Sequence, residues 1–180
     1  MEYVKYPRTE HLLGSKNLDL SNFDIHYQNN EQLQFPSLNF NESFIVEEKM
    51  DGIGLGICFI DGLVHIQQRG HLFPLEETPS LLKNFKSWVE YNEELLYCII
   101  EEKYTLFGEW LEFKHTVFYN ALTSPFLEYD IYDHANNTFL STSQRYKLIN
   151  NKLSSVKVIQ ELASLNLSNI KDFLETYPTS

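Results

Sequence analysis

The sequence predicts an α+β protein with antiparallel β-sheets and flanking helices, on the basis of three observations. Short runs of alternating apolar and polar residues are separated by Asp-Gly pairs, which favour tight hairpin turns. A longer segment after Thr78 repeats its apolar residues at helical spacing instead. The strands follow one another as hairpins and do not alternate with helices, which favours antiparallel pairing over parallel βαβ units.

A chain of 180 residues has the size of one domain, and we expect a single domain over 1–180. Region 1–43 is rich in Asn, Pro, Ser and Asp and is expected to wrap the core as loops and short strands. Region 44–133 is the expected core, which bears the main strands and the candidate motifs. Region 134–180 is expected to be mainly helical.

Three β-rich segments, FIVEEK, IGLGICFI and LVHIQQR, lie within 44–69 and are separated by Asp51-Gly52 and Asp61-Gly62. Because Asp-Gly between two such segments is a strong hairpin signal, the sequence predicts an antiparallel meander here. Further strands are predicted in LLYCII, YTLFGEWLEF and FLEYDIYD, which are residues 95–100, 104–113 and 126–133.

Helices are predicted from capping residues and apolar spacing. Thr78 is expected to cap a helix with Pro79 in its first turn, and Ser143 to cap another through about Lys152. Ser168 is expected to cap a last helix. The apolar face of the first helix consists of Leu81, Leu82, Phe85, Trp88 and Val89.

The net charge of −11 argues against a generally basic surface for nucleic acid, so any polynucleotide contact should be local or assisted by a metal. Cys58 and Cys98 lie in apolar runs without metal-ligand spacing, which predicts buried free thiols in a reducing compartment and no zinc site. The polar N-terminal segment and the lack of a membrane-length apolar window predict a cytoplasmic protein without membrane contact.

Lys49 is the first candidate reactive residue, and it stands among Glu47, Glu48 and Asp51. A solvated lysine at a strand end would account for this short string, and the alternative is an amine nucleophile. A nucleophilic lysine must lose its proton, whereas neighbouring carboxylates stabilise the charged ammonium. The catalytic interpretation therefore requires a divalent metal, arriving with a nucleotide, to offset those carboxylates.

Other segments supply polar and aromatic groups with two interpretations each. Glu109, in an apolar strand, either faces solvent or accepts hydrogen bonds from ribose hydroxyls. Tyr129 either packs in the core or stacks on a purine ring. Arg69 ends a strand where it could contact ribose or phosphate, and Lys114 and His115 follow the Glu109 strand, where a lone histidine is more often structural.

Taken in order, EEKMDG, IQQRGH, LFGEWLEFKHTVFYNAL and FLEYDIYD resemble the nucleotidyltransferase motifs of the ATP-dependent RNA ligase family, the group similar to phage-type RNA ligase 2. More broadly they are similar to motifs of DNA ligases and mRNA capping enzymes. The segment YPRTEHLLGS also resembles the entry segment of short bacterial and phage RNA ligases, so the resemblance covers roughly 6–148. It implies the ATP-grasp-like ligase and capping-enzyme fold.

The resemblance implies that Lys49 attacks the α-phosphate of ATP with Mg²⁺ or Mn²⁺ and carries AMP as a covalent intermediate. The AMP would pass to a 5′-phosphate RNA end, and a 3′-hydroxyl would then displace it and seal the strand. Asp51 and Gly52 would complete the lysine motif. Glu48 would lie at the adenine edge, where its backbone can read the base.

The same resemblance implies roles for the later motifs. Arg69 would contact the ribose or the 3′-hydroxyl region, Glu109 would hold the ribose and Tyr129 would stack on adenine. Lys114 and His115 would be accessory residues. The resemblance assigns no metal ligands.

The chain also departs from the family pattern. Gly54 stands where relatives often carry a polar side chain, and the last of the seven glycines is Gly108, so no later Glu-Gly motif follows. The later lysines also form no Lys-x-Lys strand. Three interpretations stay open: a ligase completed by a second chain or a downstream segment, a ligase-like module that binds nucleotide or RNA ends without turnover, and a structural α+β domain.

Overall fold

The computed structural model describes residues 2–7, 43–112 and 119–162. Most of the N-terminal region, the helix predicted at Ser168, and the candidates Lys114 and His115 lie outside these residues. The chain divides into two compact units, one of Met1–Val4 with Ile45–Glu161 and the other of Lys5–Phe44 with Leu162–Ser180. The first unit contains nearly all of the described residues.

The described strands form two sheets. A two-stranded sheet pairs β1 (Phe44–Glu47) with β8 (Val158–Leu162). The larger sheet has six antiparallel strands, which are β2 (Ile53–Ile60), β3 (Leu63–Gln68), β4 (His71–Pro74), β5 (Tyr104–Trp110), β6 (Phe126–Asp133) and β7 (Thr138–Phe139). Their order in the sheet is β4-β3-β2-β5-β6-β7.

Two tight turns join β2 to β3 and β3 to β4. The predicted Asp61-Gly62 turn has φ angles of 51° and 76°, and Arg69-Gly70 has φ angles of 43° and 89°. Two successive residues with positive φ are the signature of the type I′ hairpin turn, whose twist matches that of the strands. Arg69 therefore occupies a turn position and not the end of a strand.

The hairpin predicted at Asp51-Gly52 is wrong, because β1 pairs with β8 while β2 pairs with β3 and β5. Gly52 is required by close packing instead of by a turn. A Cβ atom on it would lie 2.8 Å from Leu111 Cδ2 and even closer to the carbonyl oxygen of Trp110. The pattern was misleading because a glycine at a close backbone approach and a glycine in a turn look alike in sequence.

The strand predicted over LLYCII is also wrong, because helix α1 extends over Lys83–Ile100. Phe85, Val89, Leu96 and Ile100 are buried at intervals of four, seven and four residues, so the helical period continues through the apolar run. Short apolar runs do not distinguish a strand from a buried helix. Cys98 lies on this helix and is exposed, although it was predicted to be buried. Cys58 is buried as predicted, and both thiols are free.

Helix α1 begins five residues after Thr78, whose hydroxyl donates to the Leu75 carbonyl and caps a preceding 3₁₀ turn. A second 3₁₀ turn, Ser80–Leu82, leads directly into the helix. The predicted helix is thus confirmed, but its start is displaced.

None of the helices in the described ranges is long and apolar enough to cross a membrane.

Helix α2 covers Thr142–Ile149 and has a capping box between Ser141 and Gln144. The predicted cap, Ser143, lies in the first turn instead. Asn150 ends the helix in the left-handed conformation, with φ of 48°. This stop comes before the predicted end at Lys152.

Helix α1 packs against one face of the larger sheet. Residues alternate along β2, so Leu55, Ile57 and Phe59 join Phe85 and Val89 of α1 in the main core. Aromatic rings extend this core, and Phe85 lies 5.3 Å from Trp110 between ring centroids. The alternate residues of β2, including Gly54, belong to the opposite face of the sheet.

Candidate functional site

Lys49 lies in residues 48–52, the segment that joins β1 to β2. Its side chain is exposed and forms no ion pair with any residue of the described ranges, Glu47, Glu48 and Asp51 included. The next residue, Met50, is buried in a small cluster with Leu111, Leu127 and Val156. The backbone is therefore anchored beside an amine that stays open to solvent.

Hydrogen bonds hold this segment along its length. The Glu48 amide donates to the Lys157 carbonyl over 3.0 Å. The Asp51 amide donates to the Tyr119 hydroxyl over 2.8 Å, and the Gly52 amide donates to Glu109 Oε1 over 2.9 Å. The lysine segment is thereby connected to three distant parts of the chain.

Glu109 and Tyr129 converge over Gly54. The pairing of β2 with β5 places Gly54 opposite Glu109. A Cβ atom on Gly54 would lie 3.4 Å from the Tyr129 hydroxyl and 3.6 Å from Glu109 Oε2. A glycine here leaves space at the point where a carboxylate and a phenol meet.

Tyr129 sits at an irregularity of β6. Phe107 pairs with Asp130 and Gly108 with Glu128, so Tyr129 is the extra residue of a β-bulge. Burial raises the pKa of its hydroxyl, and the charges of Glu109 and Asp130 act in the same direction. The phenol therefore stays protonated at neutral pH and can donate a hydrogen bond.

Within the described ranges, Arg69 makes no contact with Lys49, Glu109 or Tyr129. It is exposed in the turn between β3 and β4, and its guanidinium forms no ion pair there. The pairing of β2 with β3 runs only from Ile60↔Leu63 to Gly56↔Gln67. Lys49, Asp51, Gly52, Glu109 and Tyr129 thus form one local group, while Arg69 lies at the sheet margin.

A buried arginine contacts the last residue of β1, just before the lysine segment. It was not among the site residues predicted from the sequence. Arg145 of α2 is 1% exposed and forms ion pairs with Glu47 and with Glu128, the latter over 3.1 Å. Asp130 Oδ1 lies 4.0 Å from Arg145 Nη1. A signal was available: carboxylates inside an apolar strand such as FLEYDIYD require a cation, because an unpaired buried charge is costly.

The carboxylates around Arg145 are affected by burial. Burial raises the pKa of Glu128 to about 7, although the Arg145 charge opposes the shift. Burial likewise raises the pKa of Glu47 against the same opposing charge. One guanidinium thus faces three acidic side chains, and it does not neutralise all of them.

No three His, Cys, Asp or Glu side chains in the described ranges form a cluster that could hold a metal ion by itself. Of the acidic residues beside Lys49, Glu47 pairs with Arg145, and Glu48 and Asp51 are partly buried in the lysine segment.

Comparisons with known proteins give consistent results. The family model described as RNA ligase matches residues 42–178. An RNA ligase mutant of Naegleria gruberi, solved with ATP and Mn, has a TM-score of 0.51 and 18% identity, over 71% of this chain and 39% of that chain. An archaeal ATP-dependent RNA ligase has a TM-score of 0.53 and 19% identity, over 76% of this chain and 36% of that chain.

A third solved structure, another Naegleria gruberi RNA ligase mutant with AMP and Mn, has a TM-score of 0.51 and 17% identity, over 71% of this chain and 39% of that chain. Comparison with curated protein sequences gives no significant match. The structural likeness confirms the predicted fold, and the chain spans less than two fifths of the length of these neighbours.

Proposed function

We propose, since the chain belongs to the RNA ligase family, that it is the adenylyltransferase part of an ATP-dependent RNA ligase and that Lys49 accepts AMP from ATP. The observation that carries the proposal is the state of Lys49. Its amine is exposed and unpaired within the described ranges although three carboxylates are its neighbours in sequence. Glu47, the first of these, is engaged by Arg145.

In the proposed reaction the deprotonated Nζ of Lys49 attacks the α-phosphorus of ATP. A P–N bond forms, the bond from the α-phosphorus to the bridging oxygen breaks, and its electron pair leaves with pyrophosphate. The proton lost by the lysine goes to solvent. The product is a Lys49-AMP phosphoramidate, a covalent intermediate that divides one difficult displacement into two easier steps.

The residues around Gly54 would bind the nucleoside part of ATP. Glu109 Oε2 faces the space over Gly54, where a ribose hydroxyl could donate to it. Tyr129, whose hydroxyl lies at the same place, would stack its ring on adenine, and Glu48 would meet the base edge. Arg69 would approach the ribose from the β3–β4 turn.

A divalent ion would bind this site together with the nucleotide, and no cluster of side chains in the described ranges could hold one by itself. When bound through the phosphates, Mg²⁺ or Mn²⁺ would neutralise charge at the phosphate under attack. The two Naegleria neighbours were solved with Mn and with ATP or AMP. Asp51 and Glu48, the acidic residues of the lysine segment, would face such an ion.

The proposed later steps act on RNA. A 5′-phosphate end would take the AMP from Lys49, restoring the free amine, and a 3′-hydroxyl would then displace AMP and close the strand. The net charge of −11 provides little general attraction for RNA, so a second chain or a further segment would supply much of the RNA-binding surface. The accessory residues proposed from sequence, Lys114 and His115, follow Glu109 on the chain.

A second candidate is a ligase-like module that binds ATP or an RNA end without turnover. It is favoured by one observation, that no group of acidic side chains in the described ranges could hold a metal ion by itself. Residues contributed from outside the matched part could be needed for the chemical step, since losing one preorganised phosphate contact can cost about a hundredfold in rate. The two candidates differ in whether Lys49 becomes modified.

Intact mass after incubation with ATP and Mg²⁺ or Mn²⁺ tests the proposal. We expect a gain of one AMP that disappears in Lys49→Ala and persists in Lys147→Ala, a matched change of an exposed lysine on α2. An adduct that survives in Lys49→Ala would show that the assignment of the nucleophile is wrong. Absence of any adduct, with ATP binding still measurable by calorimetry, would establish the binding module instead.

A further inference from the structure

A buried ionic cluster connects the strand before Lys49 to the strand that carries Tyr129. We call Arg145, Glu47, Glu128 and Asp130 the Arg145 cluster. Its members come from three elements, β1, β6 and α2, and Arg145 is 17 residues from Glu128 and 98 residues from Glu47 in sequence. Arg145 Nη2 contacts Glu47 and its Nη1 contacts Glu128, so the two ends of one guanidinium bind two different strands.

The Arg145 cluster is poorly suited to stabilise the fold by itself. Within the described ranges Glu128 Oε2 and Arg145 Nε are buried and have no hydrogen-bond partner. Replacing a buried ion pair by apolar side chains of similar volume is often neutral or stabilising. A costly and incompletely satisfied cluster beside a candidate site therefore suggests a role in the geometry of that site.

The positions of the two contacted carboxylates define that role. Glu47 is the last residue of β1 and precedes Lys49 by two residues. Glu128 precedes Tyr129 on β6. A rigid planar guanidinium that holds both carboxylates fixes the strand end before the lysine relative to the tyrosine strand.

We propose that Arg145 is a positioning residue for Lys49: by holding Glu47 and Glu128 together, it fixes the lysine segment against β6 and keeps the Glu47 carboxylate away from the amine. This inference rests on the proposed function for its consequence in catalysis. Arg145 itself touches no reacting atom. Its effect passes through Glu47 and the backbone of residues 48–52.

The test uses Glu47→Ala, Glu47→Gln and Arg145→Lys, with Lys147→Ala as the control on the same helix. Glu47→Ala breaks the link at a residue that is already partly exposed, whereas Glu47→Gln keeps a neutral oxygen that can accept from Arg145. We expect Glu47→Ala to slow formation of the AMP adduct about tenfold or more, because small displacements of a reacting group have large effects on rate. The Kd for ATP should change less than about threefold, since Glu47 is not proposed to touch the nucleotide.

Glu47→Gln should recover most of the lost rate. Arg145→Lys should behave like Glu47→Ala, because an ammonium cannot hold two carboxylates as a guanidinium fork does. If Arg145→Lys fails to fold, as judged by circular dichroism, the two Glu47 variants still decide the matter. Equal adduct rates in wild type, Glu47→Ala and Glu47→Gln would overturn the inference.

Hydrogen exchange measured by mass spectrometry separates this inference from the proposed function. A peptide covering residues 48–52 should exchange faster in Glu47→Ala than in Glu47→Gln or wild type, while a peptide from β3 should be unchanged. This readout requires no turnover. Wild type without any adduct, but with this local change in exchange, would remove the proposed function and leave the positioning role; unchanged exchange at 48–52 would overturn the positioning role even where the adduct forms.

Discussion

The amide of Gly52 donates a hydrogen bond of 2.9 Å to Glu109 Oε1, which ties the segment after Lys49 to the central strand β5. The bond depends on a close approach, since a side chain on Gly52 would collide with Leu111 and with the Trp110 carbonyl. Glu109 therefore orders the protein with one oxygen and presents the other toward the space over Gly54.

Glu109→Ala should lower the free energy of unfolding by about 1–3 kcal/mol, because the Gly52 amide loses a charged acceptor. Glu109→Gln should lose less, since the amide oxygen can still accept from Gly52. Urea denaturation of the two variants measures the difference. Equal stabilities for Glu109→Ala and wild type would show that water replaces the carboxylate at no cost.

Gly108→Ala should be strongly destabilising, by about 3 kcal/mol or more, because the added Cβ would lie 2.7 Å from the Leu127 carbonyl oxygen and closer still to the Phe126 ring. Gly54→Ala is the matched control on the neighbouring strand. Its Cβ would meet the Tyr129 hydroxyl at an ordinary 3.4 Å, so stability should stay within about 1 kcal/mol of wild type. Denaturation midpoints of both variants check the contrast, which a similar loss at the two glycines would contradict.

Cys98 should react with a thiol reagent in the folded protein, whereas Cys58 should react only after unfolding. Cys98 is exposed on α1, while Cys58 is buried in β2 and burial raises the pKa of its thiol to about 11. At pH 8 we expect one rapidly labelled thiol in the native protein and two in urea. Cys98→Ser should remove the rapid phase, and retention of that phase would place the reactive thiol at Cys58.

Local patterns in the sequence were sufficient to predict the sheet strands β2, β3, β5 and β6, since alternation and turn residues are encoded over a few positions. They failed where the deciding contact is distant. Gly52 looked like a turn residue because its reason, the approach of Trp110, lies 58 positions away in the chain. LLYCII looked like a strand because a short apolar run has no period of its own, and only continuity with the preceding helix decides its structure.

The site residues, too, were predictable where the signal is local in the sequence, and not where it depends on a distant contact. The motif order identified Lys49, Glu109 and Tyr129 as candidates, and the β2–β5 pairing and the bulge bring the last two together over Gly54. Arg145 was missed because it lies in a polar helix and its partner Glu47 is 98 residues away in the sequence. Only the buried carboxylates in β6 indicated that a cation was required there.

Stability should fall as pH rises through the interval between about 4.5 and 7, owing to Glu128. Its pKa is raised by burial to about 7 in the folded protein, from an ordinary value of 4.5. Within this interval the folded protein retains a proton that the unfolded chain has released, so a higher pH favours unfolding. Below the interval both states are protonated, and above it both are ionised, so the Glu128 contribution becomes constant.

Glu128→Gln isolates this effect, because the neutral amide has nearly the same shape and does not titrate. The free energy of unfolding of wild type relative to Glu128→Gln should decrease by about 1–3 kcal/mol from pH 5 to pH 8. Urea titrations of both proteins at each pH measure it. A relative stability that rises with pH would mean that Arg145 outweighs burial and keeps Glu128 ionised.

Tyr129→Ala should weaken ATP binding by about tenfold or more under the proposed function, because stacking of a base on an aromatic ring contributes about 1–3 kcal/mol. Tyr129→Phe keeps the ring and loses only the hydroxyl over Gly54, so its Kd should stay within about threefold of wild type. Calorimetry with ATP and Mg²⁺ measures both variants, and denaturation midpoints exclude a loss caused by unfolding. If Tyr129→Phe weakened binding as much as Tyr129→Ala, the hydroxyl and not the ring would be the part of Tyr129 that binds the nucleotide.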